Sequence, residues 1–330
     1  ASDHVMDTIY RIRIRPLGPW RTPWQADTLT GLLCWMCVRT EGETVLRKEI
    51  LEPMLAGEPP FVLSDAFPGD LLPIPAATRL ADWPVELRKS VKRAAWLRPD
   101  AFVRACNGEP LDASDLVIDS PIAEYDHTRN TLSRMNDTTG MEGALFTLQE
   151  YRLNYSAGIS GWGDGLSIYV RVRPRARELL LYLFDELACV GFGADVGIGK
   201  GAFGFPNGVP ELEPVDLFQS DRRSGDKTLI VLSTFQPGPE DPTRGVWESF
   251  VKFGKLGPGL SGRGVEKRPL VLLRPGACFI APSEARPYLG RAIPMEEILP
   301  AEITDDLRSQ GVEVVHPAFG LTITANLRLQ

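Results

Sequence analysis

From Tyr10 to Arg15 apolar and charged side chains alternate, placing Tyr10, Ile12 and Ile14 on one face of a strand and Arg11, Arg13 and Arg15 on the other. Pro16 to Pro23 form a loop carrying Trp20 and Arg21, and Asp27 then reads as the cap of a helix from Thr28 to about Arg39. A second helix is expected from about Glu43 to Leu55, ahead of the proline-rich stretch that starts at Glu58. The same grammar returns at Tyr169, where Arg171 and Arg173 alternate with Val170 and Val172, meet Pro174 and feed an apolar helix from Arg177 to Val190. Two strands alike in pattern, each leading through a proline into an apolar helix, suggest an internal duplication of one strand-helix unit, with coincidence as the alternative. Further strands are expected at Thr228 to Thr234, Val246 to Phe253, Leu270 to Ile280 and Gly320 to Leu327. With one clear helix for several strands, the second half reads as α+β with a mainly antiparallel sheet.

Between the helix ending at Val190 and a half-buried strand expected over Glu211 to Phe218 lies Gly191 to Gly208, a loop with seven glycines and Lys200. A dinucleotide fingerprint needs its glycines after a strand and opening a helix, so this order excludes it. The phosphate loop of nucleotide hydrolases fails on spacing. Gly193 is one residue too far from Gly199 and Lys200, and Gly201 stands where the magnesium-binding hydroxyl belongs. What remains is a backbone able to approach a polymer closely and turn amides toward phosphate. Phe203 and Phe205 are positioned in sequence to stack on bases and Lys200 to pair with a phosphate, the bland alternative being a floppy surface loop.

The stretch from Ser120 to Thr147 is polar, with turn chemistry at Asn136 to Gly140, and strand alternation resumes from Leu145 to Leu153. It reads as a hairpin projecting from the first half, or as a domain linker.

At 330 residues the chain is long enough for two domains, and 43% hydrophobic with 24% charged residues describes an ordinary globule. Neither a bilayer-crossing apolar run nor a leader segment is evident, so a cytoplasmic protein with no membrane partner is expected. The five cysteines fit reduced thiols; Cys34 and Cys37 lie in an apolar helical run without a second ligand pair, which argues against zinc. A net charge of −7 argues against a free-standing nucleic-acid binder, but not against a local basic track inside an assembly.

Five motifs in order, Asp27 to Trp35, Phe61 to Pro68, His127 to Asn130 continuing through Thr138 to Phe146, the glycine loop, and Lys267 to Ala277, together resemble the repeat-associated mysterious protein (RAMP) superfamily. Within it they are similar to the subunits of type III-A CRISPR effectors, the Csm complexes, that hold the 5′ handle of the guide. The resemblance implies two ferredoxin-like (RRM-like) domains, 1–160 and 161–330, with a β-hairpin thumb at about 121–150 and the glycine loop at 191–208. It implies a binding subunit without a catalytic centre, cofactor or metal. Its partners would be the CRISPR RNA 5′ handle, the large palm-domain signalling subunit and the adjacent backbone subunit.

On that reading Lys200, Arg129 and Arg134 are the phosphate candidates, and Met141 and Phe203 the wedge or stacking candidates. The hairpin contributes His127, Asn130, Thr138, Thr139 and Gly140; the loop contributes Gly197, Gly199, Gly201 and Gly204. Trp20, Arg21 and the helix start at Thr28 complete the expected RNA-binding set, with Asp27 adding a charge of the wrong sign there. Each arginine has solvated surface as its alternative, and Arg11, Arg13 and Arg15 could instead face acidic neighbours or partner subunits. The competing function is a metal-independent endoribonuclease of the same superfamily with His127 as general base.

Overall fold

The computed structural model describes residues 6, 8–130, 132–133, 138–139, 145–154, 165–218, 228–254, 267–282 and 286–329. Strand β1 (Tyr10–Pro16) is followed by helix α1 (Ala26–Glu41) and a wholly buried strand β2 (Phe61–Pro68). A hairpin of β3 (Ile122–Asn130) and β4 (Leu145–Leu153) comes next, then β5 (Leu166–Val172), helix α2 (Arg177–Val190) and two short strands, β6 (Phe203–Gly204) and β7 (Glu213–Pro214). The main path of the first sheet runs β6-β1-β5-β2, with β7 also pairing with β1. All of its pairings are antiparallel.

Alternation in β1 does what its period requires: Ile12 and Ile14 are fully buried, while the arginines occupy the opposite face. Those arginines are not a free cationic track. Arg11 bonds Asp70 at 2.8 Å and Glu213 at 2.7 Å, and Arg13 reaches the same two carboxylates at 3.2 and 3.3 Å. Glu213 is on β7, and Val215 N–H beside it donates to the Ile9 carbonyl at 2.9 Å, so the strand expected over Glu211 to Phe218 is paired over Glu213 to Val215. In β5, Arg171 donates to the Met6 carbonyl, and just beyond it Arg173 donates to the Pro59 carbonyl.

The two look-alike strands are neighbours in one sheet, with Tyr10 opposite Val170 and Ile14 opposite Leu166. Their helices pack on each other, and Leu29, Leu33, Leu180, Leu183 and Phe184 are all fully buried. The repeat is therefore two halves of one layer, and the sheet crosses the boundary expected near residue 160.

Helix α1 begins at Ala26, two residues before the expected Thr28, and Asp27 does not cap it. Its Ala26 N–H is instead received by the Asp65 carboxylate on β2 at 2.8 Å, a cap supplied from 39 positions away. Gly42, at φ 89°, ends it. The second expected helix is present as three helical pieces, Glu43–Val45, a π segment Leu46–Leu51, and Glu52–Leu55.

The remainder forms β8 (Thr228–Val231), β9 (Gly245–Val246), β10 (Ser249–Lys252), β11 (Leu270–Leu273), β12 (Cys278–Ile280), β13 (Tyr288–Pro294), helix α3 (Ala301–Ser309) and β14 (Val315–Ala325). A second antiparallel sheet runs β9-β12-β8-β14-β13, and β10 pairs with β11 apart from it. The expected strand from Leu270 to Ile280 is broken into two. Gly276 turns the chain at φ 96°, where a Cβ would lie 2.6 Å from the Ile74 carbonyl oxygen. The architecture is α+β. Its two sheets meet in a common apolar cluster, in which Ile230, Leu232, Leu321 and Ile323 join the residues around α1, and two smaller clusters, one with Leu272, Ile293 and Leu307 and one with Leu229, Val231 and Phe235, lie against the second sheet. Asp65 ties the sheets further, taking both the N–H and hydroxyl of Thr234 at 2.6 and 2.7 Å. Among the described residues no helix is long and apolar enough to cross a membrane.

Candidate RNA-binding site

The glycine loop leaves α2 through Gly191 at φ 100° and is built rather than floppy. Its Phe192 ring stacks on Trp24 at 3.7 Å between centroids, with Phe203 edge-on to the same indole at 5.2 Å. Phe203 in turn packs against Phe205 at 5.8 Å, and both are buried. Neither is available to stack on a base, which corrects the expectation for Phe203. Trp24, far away in sequence, claims the ring for the core, leaving Ile198 and Leu17 as exposed apolar groups on this surface.

Two glycines of the loop are required by close approach. Gly193, at φ 83°, would place a Cβ 2.5 Å from Thr22, and Gly201, at φ 69°, one 1.9 Å from the Phe192 carbonyl oxygen. Gly197 and Gly199 are exposed with open space around them, and Gly204 is half-buried beside Leu17.

Three segments separated in sequence meet here. Gly201 N–H donates to the Pro19 carbonyl at 2.9 Å, Leu17 N–H to the Ala202 carbonyl at 2.8 Å and Ala194 N–H to the Thr22 hydroxyl at 3.0 Å, sewing the glycine loop to the Trp20 loop. Trp20 and Tyr151 exchange backbone hydrogen bonds at 3.0 and 2.7 Å, fastening β4 of the hairpin to the same loop. Lys200 bonds the buried Glu150 of β4 at 2.9 Å. The expected site residues Trp20, Arg21, Lys200 and the loop glycines are thus brought together, in different roles from those expected. Trp20 is buried, Arg21 is paired with Asp195 at 2.7 Å, and the Lys200 charge is already answered by a carboxylate. Asp195 itself is held left-handed at φ 63°.

The hairpin pairs from Ile122 opposite Leu153 to Asn130 opposite Leu145. His127 is exposed on β3, opposite Leu148, and its side chain makes no hydrogen bond or ion pair among the described residues. The backbones of Arg129 and Asn130 lie in β3, and those of Thr138 and Thr139 pair with Ser133 and Leu132. Arg134, Gly140 and Met141 lie outside the described residues.

On the other side of the Trp20 loop a cleft of about 760 Å³ opens between α1, the glycine loop, β10 and β14. At its floor Lys252 bonds both oxygens of the buried Asp27 at 2.7 and 2.9 Å, the Thr28 hydroxyl at 2.7 Å and the Gln25 amide oxygen at 2.8 Å. His316 Nε2 lies 3.0 Å from Asp27 Oδ2, and Lys267 Nζ lies 3.4 Å from His316 Nδ1. A neutral ring with its proton on Nε2 suits both neighbours, the carboxylate on one side and the ammonium on the other. Burial lowers the His316 pKa, against the opposing pull of Asp27. Burial works to raise Asp27, but the His316 and Lys252 contacts outweigh it and hold the carboxyl well below the usual range. The wrong-sign charge expected at the start of α1 is therefore cancelled in place.

Nothing in the sequence marks Lys252, Lys267 and His316 as residues of one site. Lys267 opens the fifth motif and carries a basic signal with Arg268, but His316 sits in an ordinary apolar run. Among the described residues no group of three or more side chains suited to a metal ion occurs.

No family model and no curated protein sequence matches the chain. Solved structures do match. A chain of the Csm1-Csm4 cassette in complex with cA4 superposes with a TM-score of 0.61 at 18% identity, covering 98% of this chain and 99% of that one. The same cassette in complex with pppApA gives 0.60 at 18% identity, with 98% and 99% covered. The Csm3-Csm4 subcomplex of the type III-A CRISPR-Cas interference complex gives 0.56 at 12% identity, with 93% and 99% covered. The matched chains are Csm4, and the likeness is one of fold over nearly the whole length of both partners.

Proposed function

We propose that this chain is the Csm4-like RAMP subunit of a type III-A CRISPR effector, binding the 5′ handle of the guide between the glycine loop and the hairpin. The observation that carries this reading is the fastening of three distant segments, the Trp20 loop, the glycine loop and β4, into one surface by Trp20–Tyr151, Gly201–Pro19 and Lys200–Glu150. Such a surface offers exposed backbone at Gly197 and Gly199 and apolar side chains at Ile198 and Leu17, suited to a strand held by its backbone rather than read base by base. The β3–β4 hairpin is the thumb. The succession β1-α1-β2-β5-α2-β6 in the order β6-β1-β5-β2 is the ferredoxin-like arrangement, with the hairpin inserted between its second and third strands. The fold likeness to chains found with Csm1 and Csm3 supports the large signalling subunit and a backbone subunit as partners. The chain acts by binding and carries no catalytic role.

The test is a photo-crosslinking map on the complex assembled with its partner subunits and a guide carrying thio-uridine in the handle. Adducts are expected within 191–208 and 121–154; adducts confined to other segments of the chain would sink the reading. Guide affinity should also fall with salt at a log–log slope of about −0.7 per phosphate held. Repeat RNA should stay intact in chelator with wild type and with His127→Ala alike.

A further inference from the structure

Strand β10 is hydrogen-bonded along one side. Arg274 N–H donates to the Glu248 carbonyl at 2.9 Å, so Phe250 and Lys252, in step with Glu248, turn their main-chain groups toward β11, and Ser249 and Val251 turn theirs away. The far edge of β11 is taken. Leu273 exchanges hydrogen bonds with Phe235 at 2.8 and 3.2 Å, and the Gln236 amide donates to the Val271 carbonyl at 3.2 Å. Among the described residues nothing pairs with the outer edge of β10.

The side chains there are bare as well. Val251 is 52% and Phe253 71% exposed, and Val271, directly opposite Val251, is 55% exposed. Just ahead of them the exposed Trp247 ring is fixed by stacking on Phe279 at 5.3 Å, a rigid aromatic anchor of the kind that carries binding energy. Soluble proteins blunt an open edge with an outward lysine or proline. β10 has neither: its one lysine, Lys252, turns the other way and is held by Asp27. We propose that the outer edge of β10 is the docking site for an extended segment of a neighbouring protein subunit. The segment adds to the β10–β11 ribbon as a third strand, taking the main-chain groups of Ser249 and Val251 and covering Val251, Phe253 and Val271 with apolar side chains.

Charge selects the occupant. At one end of the ribbon stand Glu248 and Arg274, and at the other Arg268, beside the 2.9 Å bond from Lys267 N–H to the Gly254 carbonyl; all three side chains are exposed. Two copies of this chain pairing β10 on β10 about a two-fold axis would run antiparallel. Each end would then gather Arg274 of one copy and Arg268 of the other against a single Glu248, an excess of like charge repeated at both ends. A different chain with acidic residues flanking its apolar positions removes that excess. The inference rests on the proposed function only for the source of that chain, a subunit beside this one in the effector.

Hydrogen exchange over residues 247–254 tests it, in the free full-length chain and in the chain mixed with the large signalling subunit and a backbone subunit, guide RNA being added last. The Ser249, Val251 and Phe253 amides should exchange fast in the free chain and about tenfold or more slowly once the protein subunits join. Val251→Pro removes an outward N–H and leaves the ladder to β11 intact, and Val251→Lys puts a charge on the edge. Each should weaken assembly about tenfold or more, and Val251→Thr should not. Urea midpoints of the free variants should match wild type, since the altered groups face outward. Amides already slow in the dilute free chain mean that the chain covers its own edge, and a dimer in sedimentation with slow amides means a second copy does; either overturns the proposal. Slowing that appears only with guide RNA makes the occupant a nucleic acid and overturns it too. If the subunits assemble and the amides stay fast, the docking site is overturned while the proposed function stands. If neither subunit joins the chain, with or without guide, the proposed function fails and the docking site falls with it.

Discussion

Gly201→Ala should destabilise the chain by about 3 kcal/mol or more, the sum of a left-handed backbone forced on an L-residue and a Cβ driven into a packed neighbour. The Cβ would lie 1.9 Å from the Phe192 carbonyl oxygen, and the loop cannot yield. Gly201 N–H is held by the Pro19 carbonyl and its own carbonyl by Phe192 N–H at 2.8 Å. Gly199→Ala is the internal control. It has similar φ, 83°, but open space, so it should cost about 1 kcal/mol. Urea unfolding measures both; equal costs would mean that backbone handedness, not the contact with Phe192, is what the glycine supplies. Because Gly201 joins the glycine loop to the Trp20 loop, its substitution should also release guide RNA from the assembled complex.

The second large effect lies at Asp27. Its side chain is fully buried and paired with Lys252 at 2.7 Å, so Asp27→Ala leaves ammonium groups uncompensated at the start of α1. The expected loss is about 3–5 kcal/mol at neutral pH. Linkage fixes how that loss changes with pH. The folded carboxyl titrates well below the unfolded one, so the stability it contributes is present in full above the unfolded value near about pH 4 and drains away as pH falls. Urea unfolding of wild type and Asp27→Ala between about pH 7 and pH 3 should show the gap constant down to about pH 5 and narrowing below it. A gap that does not change with pH would mean that packing, and not charge, is what Asp27 contributes.

Periodicity carried far where an element's own pattern decides its fate. Ile12 and Ile14 against Arg11 and Arg13 identified β1, and the apolar run after Pro174 identified α2. The hairpin was legible from a polar stretch succeeded by renewed alternation. Period says nothing about which distant segment will be adjacent, and there the reading parted from the structure. Phe203 looks like a stacking ring until Trp24 is placed beneath it, and Lys200 like a phosphate ligand until Glu150 is placed opposite. Asp27 has the right residue type for a cap, but the cap comes from Asp65 on a buried strand. The two arginine strands were recognised as alike, but their likeness fits partners within one sheet as well as copies in two domains, and the pairing of Tyr10 with Val170 decides for the first. For the cleft, Lys252, Lys267 and His316 arrive from β10, the segment before β11, and β14, and no local pattern announces a charge cluster assembled from such parts.

The first turn of α1 is held by Asp65 from β2, Lys252 from β10 and His316 from β14. Along the chain α1 comes long before the last of these, so the charge of Asp27 meets its full set of partners only when β14 is in place. Contacts of such wide sequence separation form late and slowly. The core around α1 is therefore expected to close only after β14 has joined it.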